Sequence, residues 1–458
     1  MALNQIKISG YKGFISPGTI EFSAPQNQKL GSGLTFITGP NNSGKTSIIE
    51  AILARNSKDR LSFTAGSRNL QNDYVNLEYL IDNQPETIRS KSKGTSEVTV
   101  NTGNLPKIYT LQSRRAFSAY FNKSKWDRDT YVANLQLHSE KQNSLNNFSS
   151  RLFSAEDNKV IFNDYLEKLL GYSLNWTIDQ NDQGNYFVKI TTNNGSHTSN
   201  GVGEGILSAF SIVDSFYDSQ PNEVIVIDEP ELSLHPTLQK NLCKILLNLS
   251  KDRQVIISTH SPYFISFEAL INGASLVRVT TDPQMGTKIN KLERATISSL
   301  RKIALSNKAN PHVFGLDAKE IFFEEDGVLL LEGQEDVVYY PEILKSLGID
   351  FPFEKIYGWG MGGESNTPHI CQLLKDLGFS KVAVLLDGNV SHKISTYTTQ
   401  FPGYLFKAIS ADDIRDKPAI NKLPTKGLME KIGTRYKLKV NHQTEISSIF
   451  SDISTYLS

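Results

Sequence analysis

Short runs of alternating apolar and polar residues open the chain and predict a β-rich first lobe. Residues 6–14 and 19–22 alternate with a period of two, which is typical of half-buried strands. A mostly apolar run at 34–38, Leu-Thr-Phe-Ile-Thr, predicts a buried strand. Further strand-like runs occur at 74–81, 97–100 and 106–110.

The pattern changes at about residue 114, where the chain becomes polar and takes on helical spacing. The helical pattern is clearest at 161–170. We interpret residues 114–175 as an insertion. An arm of about 55 residues folded back on itself would reach only about 40 Å, because a helix rises about 1.5 Å per residue. A long coiled-coil arm is therefore excluded.

Apolar strand patterns return in the second half of the chain. Two of them cover 223–227 and 255–259, and a polar linker is predicted at 286–325. Beyond the linker, strand patterns alternate with helical ones, which predicts a small parallel α/β sheet. The predicted strands are 327–331, 354–359 and 381–386, with helices directly after residue 333 and at 368–377.

The strand at 34–38 runs directly into a G-x-x-x-x-G-K-T loop, and a helix-forming run follows. Gly39 and Gly44 let backbone N–H groups face phosphate oxygens, Lys45 supplies a positive charge, and the Thr46 hydroxyl can ligate Mg²⁺. The start of the helix also favours an anion. We predict an ATP site formed by Gly39, Pro40, Asn41, Asn42, Ser43, Gly44, Lys45, Thr46 and Ser47.

Charged or titratable residues follow the next two apolar strands. Asp228 is positioned to hold Mg²⁺ through water, and Glu229 to polarise the water that attacks the γ-phosphate. The strand at 255–259 ends in His260, which could sense the γ-phosphate.

Acids also follow two strands of the C-terminal sheet. Glu332 and Asp387 each end a strand, and the carboxyl ends of adjacent parallel strands meet at one edge. We therefore expect the two to bind Mg²⁺ or Mn²⁺ and to take part in phosphodiester cleavage. Asp412, Asp413 and Lys417 could add to this site, although a solvated charged helix is the preferred interpretation of that run.

Composition narrows the classes of function. The chain has 458 residues, enough for two or three domains. Its 48 basic and 48 acidic side chains cancel, which excludes a polycationic protein that binds nucleic acid non-specifically over its whole surface. DNA binding would need a local patch. A mildly basic stretch in the insertion, interpreted as a solvated face, contains Arg114, Arg115, Lys123, Lys125 and Arg128.

Cysteine usage and hydropathy indicate the compartment. Cys243 and Cys371 lie far apart in sequence, which argues for a reducing compartment and against a disulfide framework. The sequence has no run of 18 or more apolar residues and no signal-type N-terminus, so we expect a soluble cytoplasmic protein that does not contact a membrane.

In this order, the phosphate loop, the Asp228–Glu229 strand and His260 resemble the ABC-type ATPase heads of the SMC, RecF and OLD families. The resemblance implies Walker A at 39–46, Walker B at 224–229, a D-loop at 233–236 and a switch histidine at His260.

The same resemblance implies that a second head supplies a signature loop in trans, so that ATP is enclosed in a dimer. Gly203 and Glu204, within the run 199–206, are the candidates, and they resemble the glycine-acid-glycine variant of OLD-like proteins. A plain glycine-rich turn that caps a helix is the alternative.

The C-terminal pattern resembles a TOPRIM domain, in which a glutamate follows the first strand and D-x-D follows a later one. Glu332 and Asp387 match these positions as catalytic and metal-binding residues, and Asp336 matches the helical acid that shares the metal. The second aspartate of D-x-D is replaced, because the sequence is Asp387-Gly388-Asn389. The site therefore carries one negative charge fewer than the family pattern.

The predicted fold is α/β: an ABC-type P-loop ATPase head with a helical insertion, followed by a small parallel-sheet TOPRIM-like domain. The predicted segments are the N-terminal ATPase lobe 1–113, the insertion 114–175, the C-terminal ATPase lobe 176–285, the linker 286–325 and the TOPRIM-like domain 326–458.

The order of these two domains resembles the OLD family of ATP-dependent nucleases. It implies an ATP-regulated, metal-dependent DNA endonuclease in anti-phage defence that acts as a homodimer or higher homo-oligomer. The alternative is a sensor and scaffold of a multi-component anti-phage system, such as PARIS or Septu, that controls a separate effector protein. A RecF-like repair ATPase would explain the head but would leave the C-terminal acids without a role.

Overall fold

The computed structural model divides into two compact units, Met1–Lys291 and Leu292–Ser458, which are described separately. The residues it describes are 2–26, 28–56, 62–63, 66–103, 108–113, 115, 120–135, 148–192, 195–198, 201–304, 310–418 and 424–458.

The described residues of the first unit form fourteen strands and seven helices. The strands are β1 (Leu3–Ser9), β2 (Gly18–Glu21), β3 (Leu34–Thr38), β4 (Asn76–Ile81), β5 (Gln84–Ser90), β6 (Val98–Asn101), β7 (Tyr109–Leu111), β8 (Asn175–Gln180), β9 (Tyr186–Thr192), β10 (Gly195–Thr198), β11 (Val224–Asp228), β12 (Gln254–Ser258), β13 (Ser275–Asp282) and β14 (Gly286–Lys291). The helices are α1 (Lys45–Ala54), α2 (Arg128–Asn134), α3 (Phe148–Asp157), α4 (Lys159–Leu170), α5 (Glu204–Asp214), α6 (Pro236–Leu249) and α7 (Phe267–Asn272).

The central sheet of this unit has the strand order β14-β13-β3-β12-β11-β7 in the described residues, and its pairs are parallel except for β13 with β14. Every residue of β3, β11 and β12 is buried, because both faces of the sheet are covered. This is why these strands read as continuous apolar runs. Their carboxyl ends lie side by side, so the residues that follow them meet at one edge.

The remaining strands of the first unit form two antiparallel sheets, ordered β2-β1-β4-β5-β6 and β10-β9-β8. β1 alternates between fully buried and half-buried residues, as its period-two pattern predicts. The strands predicted in the first lobe are confirmed, with β4, β6 and β7 lying at or beside the expected runs.

The region predicted as a helical insertion contains α2, α3 and α4 among its described residues. A buried ion pair joins it to α5, since Arg151 donates from Nε to Asp214 Oδ1 at 3.0 Å and both side chains are inaccessible. The Tyr109 hydroxyl donates to the same carboxylate at 2.7 Å. This region is therefore held against the central sheet by interior contacts.

The second unit contains a smaller parallel sheet, β15-β16-β17, and a mixed sheet, β18-β19-β20, in its described residues. Its strands are β15 (Val328–Leu331), β16 (Val382–Leu386), β17 (Leu405–Ala408), β18 (Asp413–Arg415), β19 (Gly427–Ile432) and β20 (Arg435–Leu438). Its helices are α8 (Arg294–Ala304), α9 (Leu316–Lys319), α10 (Gln334–Ser346), α11 (Thr367–Asp376), α12 (Ile394–Gln400) and α13 (Gln443–Leu457), with 3-10 turns at Glu320–Phe322, Phe353–Lys355, Glu364–Asn366, Gly388–Lys393 and Val440–His442.

The segment predicted as a linker, 286–325, is structured over its described residues. Its first residues form β14, which completes the ATPase sheet, and α8 buries Ile297 and Leu300 in the second unit. The polar composition of α8 belongs to its exposed face, which hides the helical spacing of its few apolar residues.

The strand predicted at 354–359 is instead a 3-10 turn followed by one isolated bridge between Ile356 and Leu329. Gly358 and Gly360 have φ values of 42° and 77°, so the backbone leaves the extended conformation before a ladder can form.

The charged run near 412–417 was expected to be a solvated helix and contains β18 instead. Ile414 is buried, while its neighbours Asp413 and Arg415 are half-buried and bonded to other side chains. Pairing with β19 supplies the backbone hydrogen bonds that a helix would have supplied.

Candidate functional site

The loop after β3 has the backbone conformation that a phosphate site requires. Gly39 and Gly44 have φ values of 129° and 108°, in the region that favours glycine. A Cβ atom on Gly39 would lie 2.0 Å from the carbonyl oxygen of Val279, so this position accepts only glycine. Helix α1 starts at Lys45 with its first N–H groups directed into the loop.

Lys45 lies inside this loop. Its Nζ donates to the carbonyl oxygens of Gly39 at 3.0 Å and Pro40 at 2.6 Å, and the residue is 4% exposed. Burial lowers the pKa of Lys45 to about 8, although the nearby Glu229 and Asp228 carboxylates act in the opposite direction. Phosphate oxygens would be a better partner for this ammonium group than neutral carbonyls.

The acidic end of β11 lies beside the end of β12, because the two strands pair in parallel. The Ser258 hydroxyl donates to Asp228, and the Glu229 N–H donates to the Ser258 carbonyl at 3.0 Å. Burial raises the pKa of Asp228 to about 6, and the charge on Glu229 adds to the effect. Glu229 itself has a φ of 45°, which is rare for a residue with a side chain.

His260 approaches the same point, with its Nε2 3.7 Å from Glu229 Oε1. Burial, together with the Lys45 charge, lowers the pKa of His260 to about 4, so the imidazole is neutral at pH 7. The two side chains are therefore not an ion pair at neutral pH. A neutral imidazole beside Glu229 can accept or donate one hydrogen bond at the attacking water or the γ-phosphate.

Glu231 also belongs to this site, although no motif in the sequence assigns it a role. Its carboxylate accepts from the His260 N–H at 2.5 Å and from the Thr259 hydroxyl at 2.9 Å. It therefore fixes the tip of β12 relative to the end of β11. The sequence shows only that Glu231 lies two residues after Glu229, in a run of acids. Such a run suggests Mg²⁺ binding and does not indicate that one of the acids holds a loop in place.

The predicted signature residues lie at the start of α5. Gly203 precedes the helix and Glu204 is its first residue, and both are exposed. Glu204 accepts a hydrogen bond of 3.4 Å from the Ser233 hydroxyl in the predicted D-loop. Ser199 and Asn200, also part of the predicted loop, lie outside the described residues.

The chemistry of the loop fits ATP with Mg²⁺. A buried cation, left-handed glycines and the start of a ten-residue helix face one space, and the Asp228 carboxylate borders it. Ser43 supports this fit, because its buried Oγ has no hydrogen-bond partner within the part of the chain that the structure describes. Thr46 lies exposed in the first turn of α1, where its hydroxyl is available to a metal.

The acids predicted in the second unit do converge. β15 pairs in parallel with β16, so that Glu332 and Asp387 follow neighbouring strands. The Asp387 N–H donates to Glu332 Oε2 at 3.3 Å. Asp336, in the first turn of α10, accepts from the Gly333 N–H at 2.8 Å.

The negative charges of these acids repel one another and raise the pKa values of Asp387 and Asp336. Burial, together with the charges of Asp336, Glu332 and Asp413, raises the pKa of Asp387 to about 9. Burial likewise raises the pKa of Asp336 to about 7, with Glu332 and Asp413 contributing. Excess negative charge of this kind is what a divalent cation neutralises.

Asp413 reaches this cluster from β18. Lys417 binds its carboxylate and also lies 3.1 Å from Glu335 Oε2. Gly388 permits the approach, because its N–H donates to the Ala411 carbonyl at 2.8 Å and a Cβ atom there would lie 2.5 Å from that oxygen. From the sequence, Asp413 was only one of three residues that could add to this site.

The carboxylates do not form a finished metal site. In the described residues, no three His, Cys, Asp or Glu side chains are arranged to hold a metal ion. Glu332 and Asp336 each accept a backbone N–H instead. The acids fit Mg²⁺ or Mn²⁺ by charge and by their hard oxygen atoms, and these carboxylates would have to turn to share one ion.

The basic stretch of the insertion is not a uniformly solvated face. Arg115 and Arg128 are buried at 7% and 9% exposure, and Lys125 pairs with Asp157. Arg128 binds Asp218 and Glu223. Arg114 lies outside the described residues, and Lys123 is exposed.

Comparison with protein families gives the same order of domains as the geometry. Two AAA domain models match residues 5–183 and 105–266. The TOPRIM domain of overcoming lysogenization defect protein-like proteins matches residues 322–388, which contain Glu332, Asp336 and Asp387.

Three similar proteins indicate the range of relatives. The chain is 31% identical over 168 residues to the Old nuclease of Escherichia phage P2, covering 36% of this chain and 28% of that protein. It is 31% identical over 198 residues to the OLD nuclease of Thermus scotoductus, and the match covers 40% of this chain and 35% of that nuclease. It is 23% identical over 312 residues to the Septu protein PtuA of Bacillus thuringiensis, and the match covers 59% of this chain and 74% of that protein.

The matches to the two nucleases thus span about a third of each nuclease. Among the described residues, no helix has both the length and the apolar character needed to cross a membrane.

Proposed function

Because this chain is an OLD-family protein that joins an ATPase domain to a TOPRIM domain, we propose that it hydrolyses ATP and that its nucleotide state controls metal-dependent cleavage of DNA. The observation that supports the ATPase most directly is Lys45, a buried cation that faces two carbonyl oxygens and three acids.

In the ATPase step, Lys45 would exchange its carbonyl partners for phosphate oxygens. Glu229 would polarise the attacking water, and neutral His260 would hold that water or the γ-phosphate by one hydrogen bond. Bound Mg²⁺, held by Thr46 and by Asp228 through water, would neutralise charge on the phosphate oxygens.

For DNA cleavage, the acids at the end of the smaller parallel sheet are the proposed residues. Glu332, Asp336 and Asp387 would hold Mg²⁺ or Mn²⁺, and Asp413 would supply the charge that Asn389 lacks. The metal would activate water and stabilise charge on the scissile phosphate. Glu332 or Asp387 would accept a proton from the water.

The exposed Gly203 and Glu204 would complete the ATP site of a second copy, so that the working form is a homodimer or a higher homo-oligomer. We further propose a cytoplasmic role in anti-phage defence. Similarity to nucleases and to a Septu protein supports this assignment.

A supercoiled-plasmid nicking assay with Mg²⁺ or Mn²⁺, with and without ATP, tests the function. Wild type should nick the plasmid and Glu332→Ala should not. Glu229→Gln, which keeps ATP bound but blocks hydrolysis, reports whether hydrolysis or binding controls cleavage. ATP hydrolysis without nicking under either metal would refute the nuclease.

The second candidate is an ATPase scaffold whose TOPRIM domain regulates a separate effector protein. Asn389 and the absence of a ready three-residue metal group among the described residues favour it. This candidate predicts ATP-dependent assembly that Glu332→Ala leaves intact, which size-exclusion chromatography would measure.

A further inference from the structure

A buried arginine contacts the acidic end of β11, and it belongs to none of the nucleotide motifs. Arg115 Nη2 donates to the carbonyl oxygen of Asp228 at 2.5 Å and to that of Glu229 at 2.7 Å. These partners are backbone atoms more than a hundred residues away in sequence. One guanidinium thus holds two consecutive peptide groups at the point where the attacking water is polarised.

These two peptide groups need external support. Glu229 has a φ of 45°, a conformation that side-chain-bearing residues adopt only when their surroundings hold them there. Its N–H is held from one side by the Ser258 carbonyl and, at 3.1 Å, by the Ser258 hydroxyl. Arg115 holds its carbonyl from the other side. Rotation of this peptide would move the Glu229 carboxylate, because the side chain turns with the backbone.

The same side chain reaches the helix that follows the predicted signature loop. Arg115 Nη1 donates to the Ser208 hydroxyl at 3.2 Å, and Ser208 lies one turn into α5. The Ser208 hydroxyl in turn donates to the Leu232 carbonyl at 3.4 Å, just after the acidic run. A shift of α5 would therefore be transmitted to Asp228 and Glu229 through a single guanidinium.

We propose that Arg115 is a positioning residue for ATP hydrolysis, which holds the left-handed backbone at Glu229 so that its carboxylate faces the attacking water. The inference rests on the proposed ATPase function. Arg115 would act through the backbone of Asp228 and Glu229, to which it donates, and not as a catalytic group itself. A planar guanidinium suits this task because it binds two acceptors in a fixed geometry, whereas a lysine ammonium is a point donor.

The test compares Arg115→Ala and Arg115→Lys with wild type by steady-state ATP hydrolysis, and by ATP affinity with a fluorescent analogue. We expect kcat to fall about 100-fold in Arg115→Ala, the scale of loss that a small misplacement of a catalytic group causes. In Arg115→Lys we expect a loss of about tenfold, because one of the two carbonyl contacts can be kept. ATP affinity should stay within about threefold, since Lys45 and its loop are unchanged.

Arg55→Lys is the matched control. Arg55 is also buried, at 5% exposure, and forms a bidentate pair with Glu86, with Nε 2.7 Å and Nη2 2.9 Å from the carboxylate. Its replacement should lower the melting temperature and leave kcat within about twofold of wild type. All rates are compared below the unfolding transition of each variant, measured by circular dichroism.

Retention of wild-type kcat in both Arg115 variants would overturn the inference while leaving the ATPase intact. Equal losses of stability and ATP affinity with an unchanged kcat would assign Arg115 a merely structural role and also overturn it. Wild type that binds ATP without hydrolysing it would refute the ATPase itself, and the inference with it. Arg115→Lys keeps the test decisive if Arg115→Ala does not fold.

Discussion

Replacing Asp387 by asparagine should stabilise the protein at alkaline pH. Burial and neighbouring acids raise the pKa of Asp387 from an ordinary 3.8 to about 9. The folded state therefore binds this proton more tightly than the unfolded state does. Stability must fall as pH rises from about 4 to about 9, because the unfolded chain gives up the proton first. The amide of Asp387→Asn is neutral at every pH and removes that penalty.

The size of the effect follows from the same pKa. If Asp387 titrated as one isolated group with these two pKa values, its ionisation would lower the free energy of unfolding at pH 8 by about 5 to 6 kcal/mol, which is an upper limit. The repulsion is shared among Glu332, Asp336, Asp387 and Asp413, and the site lies at an accessible sheet edge. We therefore expect about 2 kcal/mol, or about 6 °C in melting temperature for a unit of this size.

Calorimetry at pH 5 and pH 8 would measure the difference. At pH 5 the gain should be less than about a third of that at pH 8, because the penalty grows with each pH unit above the ordinary pKa of 3.8, and pH 5 lies only about one unit above it whereas pH 8 lies about four units above it. Asp452→Asn is the matched control, since Asp452 pairs with Lys407 on the surface, and it should change stability by less than about 1 kcal/mol. An equal gain at both pH values, or a loss at pH 8, would refute the reasoning.

Three further predictions concern the first unit. Lys45→Met should weaken ATP binding by at least about 100-fold in a fluorescent-nucleotide titration, because it leaves the phosphates without their buried cation; affinity within tenfold of wild type would contradict this. ATPase kcat/KM should fall below about pH 6, as Asp228 gains a proton, and above about pH 8, as Lys45 loses one. His260→Gln should leave the acid limb in place, since the His260 pKa of about 4 lies below it. Arg151→Leu should cost about 3 to 5 kcal/mol in urea denaturation, because Asp214 would remain buried without its guanidinium; a loss under 1 kcal/mol would show that the pair is dispensable.

The sequence was sufficient to predict which residues follow the central strands directly and so form the candidate ATP site. Lys45, Asp228 and His260 each lie within a few residues of a fully buried strand, and the parallel register brings those strand ends together. One short segment of sequence then shows both which side chain is present and which strand end it lies at. The same logic placed Glu332 beside Asp387 in the second unit.

Residues that act through distant partners could not be predicted in this way. Arg115 donates to backbone carbonyls, which every residue has, so nothing in the sequence of its partners distinguishes them. Its charge, together with that of Arg128, instead suggested a solvated basic face. Both guanidiniums are buried and donate to acceptors inside the fold, and composition carries no information about such acceptors.

The misassigned strand β18 has a different cause. Ile414 is the apolar residue between charged neighbours there, and one buried position cannot distinguish a period of two from a period of 3.6. Pairing with β19 decides the matter, and β19 lies beyond a stretch of residues that the structure does not describe. Secondary structure at this point thus depends on a tertiary contact.

That strand bears on the choice between nuclease and scaffold. The TOPRIM pattern contains four acids: a glutamate, a helical acid and the two aspartates of D-x-D. In this chain Asn389 replaces one of these acids, and Asp413 on β18 lies close enough to the others to act on their pKa values. Four carboxylates therefore influence one another. Asp413 is also held in place, because Lys417 binds it and is itself bound by Glu335. Four carboxylates that repel one another carry the excess negative charge that a divalent cation neutralises, so the charge count supports the proposed metal-dependent nuclease over the scaffold.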